Sequence, residues 1–283
     1  MKMKVKIISD STCDLSPELI EKYDIAILPL YVNLGERTCK DGLEVTPDDI
    51  YSYVDECGTL PSTSAPNIGD FAEVFSYWSE QGYEVVHFNI SGDFSSSYRN
   101  ACIAAEEIGG VYVVDSRNLS TGQGLVVLTG AEMAQNGASA QEIQAACNEV
   151  AGKVEASFVV DSIDYLRKGG RCSAIAALGA NLLKLKPCIE VIDGKMTPSK
   201  KYRGNIDRVI LNYVNERLSG RDDISTNRIF ITHTRCNPDV VKQVKAAIKE
   251  HFDFDEILET TAGCTVTSHC GPNTLGILFI RSK

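Results

Sequence analysis

Four short clusters in this 283-residue chain hold the side chains best suited to grip an anion. Pro61-Ser62-Thr63-Ser64-Ala65-Pro66 and the run from Ser91 to Ser97, with Ser95 and Ser96, offer small hydroxyls next to predicted helix starts. In open α/β sheets, ligands lie beyond the carboxyl ends of strands, near helix N-termini. Hydroxyls and free backbone N–H groups there suit a carboxylate or a phosphate. Ser and Thr are also favoured helix caps, so both runs read equally as capping segments. The third cluster is Tyr165-Leu166-Arg167-Lys168-Gly169-Gly170-Arg171. Its glycines suit a helix C-terminus, and Arg171 is either a surface charge or a guanidinium aimed at an anion. The fourth, Ser268-His269-Cys270-Gly271-Pro272-Asn273, places His269 before a Gly-Pro turn. It serves there either as a structural histidine or as a donor to a bound carboxylate or phosphate.

Motifs of autonomous catalysis are missing. There is no G-x-S-x-G elbow, no P-loop and no H-E-x-x-H. Gly122 and Gly124 begin a G-x-G, but Val127 stands where the dinucleotide fingerprint needs its last glycine. Cys264, His269 and Cys270 fit no zinc spacing, so no metal is expected. The ten cysteines contain no C-x-x-C, and most sit in apolar runs, which points to a reduced, cytoplasmic protein. No transmembrane span and no secretory signal is expected, since no apolar run is long enough. A formal net charge of −10 argues against nucleic acid as a partner. Yet ten basic residues and three acids fall between Arg167 and Arg208, which marks either a solvated face or a surface for an acidic partner.

The elements that must position these clusters alternate. Strands are predicted over 4–9, 25–33, 83–90, 110–115 and 157–161. Helices are predicted between them, started by caps at Ser16, Thr46 and Ser139. Ile68, Phe71, Phe75 and Trp78 give the 68–81 helix an apolar stripe. Asp193-Gly194 between 186–192 and 195–202 signals a hairpin. Helices at 206–218 and 238–251 and strands at 228–233, 254–260 and 275–281 follow. The pattern predicts two α/β domains, 1–155 with a mainly parallel sheet and 156–283 with a mixed sheet. Ala174 to Leu183, rich in small and apolar residues, suits either a cavity wall or ordinary helix packing.

Taken in order, several segments resemble the DegV family: Asp10-Ser11-Thr12-Cys13-Asp14-Leu15, Thr63-Ser64, Ile90-Ser91 to Tyr98, and Val114-Asp115-Ser116. So do Leu166 to Arg171, Leu185-Lys186-Pro187 and His269-Cys270-Gly271-Pro272. Two positions depart from the family pattern: Ala65 stands where Gln is usual, and Ser95-Ser96-Ser97 replaces Ser-Gly-Thr. The resemblance implies a binding protein for a long-chain fatty acid, built of two α/β domains with the acyl chain buried. It implies Thr63, Ser64, Ser95 and Ser96 at the carboxylate, with Arg171 and His269 nearby. It further implies no cofactor and no catalysis of its own, and a separate ATP-using fatty acid kinase subunit to which the ligand is presented. Arg203 matches a basic position tied to docking that kinase. The competing expectations are an autonomous hydrolase using Ser95, His269 and Asp10, and a sugar- or cofactor-binding module.

Overall fold

The computed structural model describes residues 4–176 and 185–283. Its first sheet has four parallel strands: β1 (Lys4–Asp10), β2 (Ala26–Leu28), β6 (Tyr83–Asn89) and β7 (Val111–Asp115), in the order β2-β1-β6-β7. Neighbouring residues of a strand point to opposite faces. Ile7, Val86 and Val114 therefore pack against α1 (Pro17–Lys22), α5 (Ser120–Gln135) and α6 (Ala140–Ala151). Ile8, Val85 and Val113 pack against α3 (Ile68–Glu80) and α4 (Ser97–Ile108).

The second sheet has the order β10-β9-β8-β13-β11-β12. Its strands are β8 (Val154–Val159), β9 (Leu185–Ile192), β10 (Lys195–Arg203), β11 (Ile224–Thr234), β12 (Glu256–Thr261) and β13 (Thr274–Arg281). Only β11 and β12 run parallel, so the sheet is mixed as expected. One face is covered by α9 (Ile206–Leu218) and α10 (Pro238–His251). From the other face Ala156, Phe230 and Leu278 join the cluster that holds α5. Thus α5 is a middle layer between the two sheets, and eleven of its sixteen residues are buried. A helix without a polar face belongs in such a place. Two of its glycines permit the close packing: a β-carbon at Gly124 would stand 2.9 Å from the Cys13 carbonyl oxygen, and one at Gly130 would stand 2.5 Å from Phe88. The G-x-G is a packing device here.

A small antiparallel sheet completes the framework: β3 (Tyr31–Leu34), β4 (Arg37–Lys40) and β5 (Ser62–Ser64), in the order β4-β3-β5. It corrects two expectations. The single strand over 25–33 is divided between two sheets at Pro29-Leu30, because proline has no N–H to continue a ladder. The segment 61–66 is not a capping loop; it contains β5, and α3 is capped by Asn67 in a capping box with Asp70. The helix that follows the Ser91–Ser97 run begins at Ser97. The second sheet begins at Val154, two residues before the expected start of the second domain. The expected caps at Ser16, Thr46 and Ser139 are present, the second opening α2 (Pro47–Cys57). The Asp193-Gly194 turn joins β9 to β10.

Short helices α7 (Asp164–Gly169), α8 (Ser173–Ala176) and α11 (Cys264–Cys270) lie near the site. Most of the run from Ala174 to Leu183 lies outside the described residues. All ten cysteines are free thiols. Among the described residues no helix is long and apolar enough to cross a membrane, and no group of three metal-ligating side chains gathers.

Candidate ligand-binding site

From β1 the chain turns back through α1 to β2, whereas from β6 it turns through α4 to β7 on the other side. This divergence opens a crevice at the carboxyl ends of β1 and β6, where open α/β sheets bind ligands. Asp10, fully buried, ends β1 there. Its Oδ1 accepts hydrogen bonds from the Thr12 hydroxyl (2.5 Å), the Thr12 N–H (3.1 Å) and Gln123 Nε2 (2.9 Å). Its Oδ2 accepts the Ile90 N–H at 2.8 Å. Burial raises the Asp10 pKa, opposed by these four donors. The turn after β1 thereby fixes the start of the loop that carries Phe94 and Ser95. The tip of the β9–β10 hairpin holds the same loop: the Ser91 hydroxyl donates to the Gly194 carbonyl at 2.9 Å, and Lys195 pairs with Asp93.

Beyond this crevice lies a cavity of about 50 Å³. Thr63, Ser64, Ser95, Arg171 and His269 supply its polar rim, and Leu30, Ile90, Phe94, Leu119, Met196, Val266 and Cys270 much of its apolar wall. Thr63 reaches it from β5 and His269 from α11. The Thr63 hydroxyl and His269 Nε2 share a hydrogen bond of 2.8 Å. Burial, aided by the Arg171 guanidinium, pushes the His269 pKa down to about 4, so the imidazole is neutral at physiological pH. Among the described residues its buried Nδ1 meets no hydrogen-bond partner. Arg171 stands at the mouth, more exposed, and donates from Nη1 to the Gly169 carbonyl at 2.7 Å. The Ser95 hydroxyl accepts the Ser97 N–H at 3.1 Å.

Leu119, Val266 and Cys270 also line a second cavity of about 30 Å³. Its other walls include Ala156, Phe158, Thr232, Gly276 and Leu278, between α5, α11 and the second sheet. Outward, Phe94, Arg171 and Met196 border a more polar recess of about 340 Å³ that also holds Asp93, Ser173 and Lys195. The site therefore has an outer basic recess, a middle chamber with a polar rim, and an inner chamber behind a shared apolar wall.

Five of the residues singled out from sequence meet in the middle chamber: Thr63, Ser64, Ser95, Arg171 and His269. Ser96 does not. It is exposed, stands at the N-cap of α4 and makes no side-chain cap bond, because the αR backbone at that position turns its side chain away from the helix N–H groups. Arg203 lies exposed at the end of the edge strand β10, with Lys200 and Lys201 in the same strand. The hydrolase constellation is not assembled: His269 bonds Thr63 rather than Ser95, its Nδ1 meets no acid among the described residues, and Asp10 is spent on Thr12, Gln123 and Ile90. Sequence reasoning missed the apolar walls, which read as ordinary core; it placed Gly169 at a helix C-terminus, where it is, but not against the His269 ring.

An α/β protein of two large sheets and one small one, with a polar-rimmed apolar cavity at the switch point of its parallel sheet, is the class that fold and site define. The model of the DegV family, described as uncharacterised proteins, matches residues 4–282, and the chain belongs to that family. A fatty acid-binding protein of Thermotoga maritima is 34% identical, with 97% of this chain and 96% of the relative covered. A solved DegV-family protein of Thermus thermophilus, described by its fatty acid binding, superposes with a TM-score of 0.88 at 30% identity, covering 99% and 100% of the two chains. A stearic acid-binding protein of Eubacterium ventriosum superposes with a TM-score of 0.85 at 28% identity, covering 98% of each.

Proposed function

We propose that this protein binds one long-chain fatty acid, carboxylate in the middle chamber and acyl chain toward the inner one, and presents it to a separate ATP-using kinase. The observation that carries the reading is the adjoining arrangement of the two chambers, which share one apolar wall. Hydroxyls, a neutral imidazole and a guanidinium gather at one end, and the apolar wall of Leu119, Val266 and Cys270 continues into the other. The fatty acid-binding relatives of Thermotoga and Thermus support the same ligand class.

The chemistry suits a carboxylate. With Nε2–H of His269 donating to Thr63, the Thr63 hydroxyl hydrogen is free for the ligand. Ser95 accepts a backbone N–H, which leaves its own hydrogen to donate. Arg171 adds charge at the mouth, where the ionised group is partly hydrated. Hydrogen bonds to a charged acceptor are each worth about 1.5–3 kcal/mol. Each buried methylene adds about 0.8 kcal/mol. The two chambers hold room for only a few water molecules, so a long chain enters as wall side chains part. Met196, the flexible residue of the wall, is suited to yield. Presentation to a kinase uses the outer recess, where Arg171 and Lys195 flank the carboxylate end, and the basic edge around Arg203.

Displacement of a fluorescent fatty acid tests this reading. Palmitate should compete with it and palmitate methyl ester should compete far more weakly. No saturable binding, or equal competition by the ester, would overturn it.

A further inference from the structure

The helix that carries His269 is fastened at its N-terminus by two carboxylates from the far end of the chain. The first N–H groups of a helix have no partner within it. In α11 the preceding residue is Gly263, which has no side chain to cap with. Asp14 Oδ1 accepts the Gly263 N–H at 2.8 Å instead. Asp41 takes the next two, Cys264 N–H on Oδ1 at 2.9 Å and Thr265 N–H on Oδ2 at 3.1 Å. Both carboxylates are buried, at 7% and 3% exposure. Both are themselves held. The Ser11 hydroxyl donates to Asp41 Oδ2 at 3.1 Å and accepts the Leu30 N–H. The Ser120 hydroxyl shares a hydrogen bond with Asp14 Oδ2. A β-carbon at Gly263 would stand 2.9 Å from Asp14 Oδ1, so a capping side chain there would displace the carboxylate.

We infer that Asp14 and Asp41 are positioning residues: through α11 they set His269 against Thr63 and so shape the carboxylate end of the site. This builds on the fatty acid reading. It also gives a role to the Asp10-Ser11-Thr12-Cys13-Asp14-Leu15 segment. One turn places both halves of the site, Asp10 through Ile90 and the Ser95 loop, Ser11 and Asp14 through α11 and His269. Seven residues make α11 too short to hold its own geometry, so its orientation is set by what grips its ends. The two acids differ in what they tolerate. Burial, opposed by the Ser120 and Gly263 bonds, raises the Asp14 pKa to about 8, so at neutral pH it is largely protonated, its Oδ2–H then donating to the Ser120 oxygen, a bond that an amide NH₂ reproduces. Asp41 receives donors on both oxygens, and an Asn there would turn an NH₂ toward an N–H or a hydroxyl hydrogen.

The test pairs ligand affinity with His269 ring ¹⁵N spectra of unliganded protein. The proteins are wild type, Asp14→Asn, Asp14→Ala, Asp41→Asn, His269→Ala and the double variant Asp41→Asn/His269→Ala, and the ligand is cis-parinaric acid. Asp41→Asn should bind about tenfold more weakly. The double variant should bind no more weakly than the worse single variant, since Asp41 acts through His269. The His269 ring signals should move, and its titration rise toward the ordinary histidine range. Asp14→Asn should stay near wild type while Asp14→Ala loses affinity. Unmoved ring signals in folded Asp41→Asn, or additive losses in the double variant, would overturn the inference. Should Asp41→Asn fail to fold, the ring signals of Asp14→Ala against Asp14→Asn decide it in the same way. Should the wild type not bind cis-parinaric acid, the fatty acid reading falls, and the ring spectra still decide the positioning.

Discussion

Gly169 lies flush against the imidazole of His269: a β-carbon on Gly169 would stand 3.2 Å from Cε1, 3.3 Å from Cγ and closer still to Nδ1. Gly169 is the last residue of α7, so alanine would otherwise favour the helix by about 1 kcal/mol. Overpacking against a buried ring costs about 1–3 kcal/mol. Gly169→Ala should therefore destabilise slightly and, by tilting His269 off Thr63, weaken fatty acid binding several-fold. Gly170→Ala is the control. That residue has φ +71° and no described atom within 4 Å of its would-be β-carbon, so the change should strain the backbone and spare the affinity. Calorimetric titration of both variants checks this; equal affinities would contradict it.

Thr63→Ala combined with Ser95→Ala should lower fatty acid affinity by one to two orders of magnitude, at about 0.5–1.5 kcal/mol or more per bond. Circular dichroism should stay native, because Thr63 lies in β5 and caps no helix, and Ser95 accepts only the first N–H of α4, that of Ser97. Unchanged affinity in the folded double variant would remove both from the site.

Stability should depend on pH through two opposed kinds of group. His269 and His87 are held down to about 4 and about 3, from 6.5, chiefly by burial. Below 6.5 the unfolded chain binds protons that the fold refuses, so stability falls as pH drops from 6.5 toward those values. Asp14 behaves oppositely. It is raised from 3.8 to about 8, so the fold keeps a proton the unfolded chain has lost, and stability falls as pH rises toward 8. Thermal melts from pH 6.5 to 8 should show wild type losing stability relative to Asp14→Asn. Parallel curves would contradict the assignment.

Val266 stands where the two chambers share a wall, one helical turn before Cys270. Val266→Phe should stiffen and thicken the shared wall and shift preference to shorter chains, each excluded methylene forfeiting about 0.8 kcal/mol. A series from twelve to eighteen carbons reads this as a preference that reverses with length. An unaltered order would place the chain elsewhere.

Arg203→Glu should slow association with a cognate kinase and leave fatty acid occupancy unchanged, because exposed charge acts mainly on the encounter rate. Association should slow with salt, since such charges are screened beyond about 10 Å at 0.1 M. Stopped-flow kinetics indifferent to both would remove the basic edge from docking.

Much of this fold was legible because its signals are local. Ser16 accepting the Leu19 N–H, or Thr46 and Asp49 in a capping box, is chemistry contained within four residues. The strand β5 was not legible: Ser-Thr-Ser shows no apolar alternation, and its pairing of Thr63 with Val32 spans about thirty residues. The site divides the same way. Thr63, Ser95, Arg171 and His269 announce themselves by type, but their meeting depends on β5 and α11 packing together. Leu119 and Val266 are chemically core residues, and nothing in their spacing marks a cavity wall. Asp14 and Asp41 act on N–H groups more than two hundred residues away, beyond the reach of any local pattern.

Native mass spectrometry of the protein purified from bacterial cells bears most directly on the central claim. A complex carrying one equivalent of a long-chain fatty acid is expected, lost or much reduced in Thr63→Ala/Ser95→Ala. A wild-type protein that carries a polar ligand instead, or that stays ligand-free after incubation with palmitate, would contradict it.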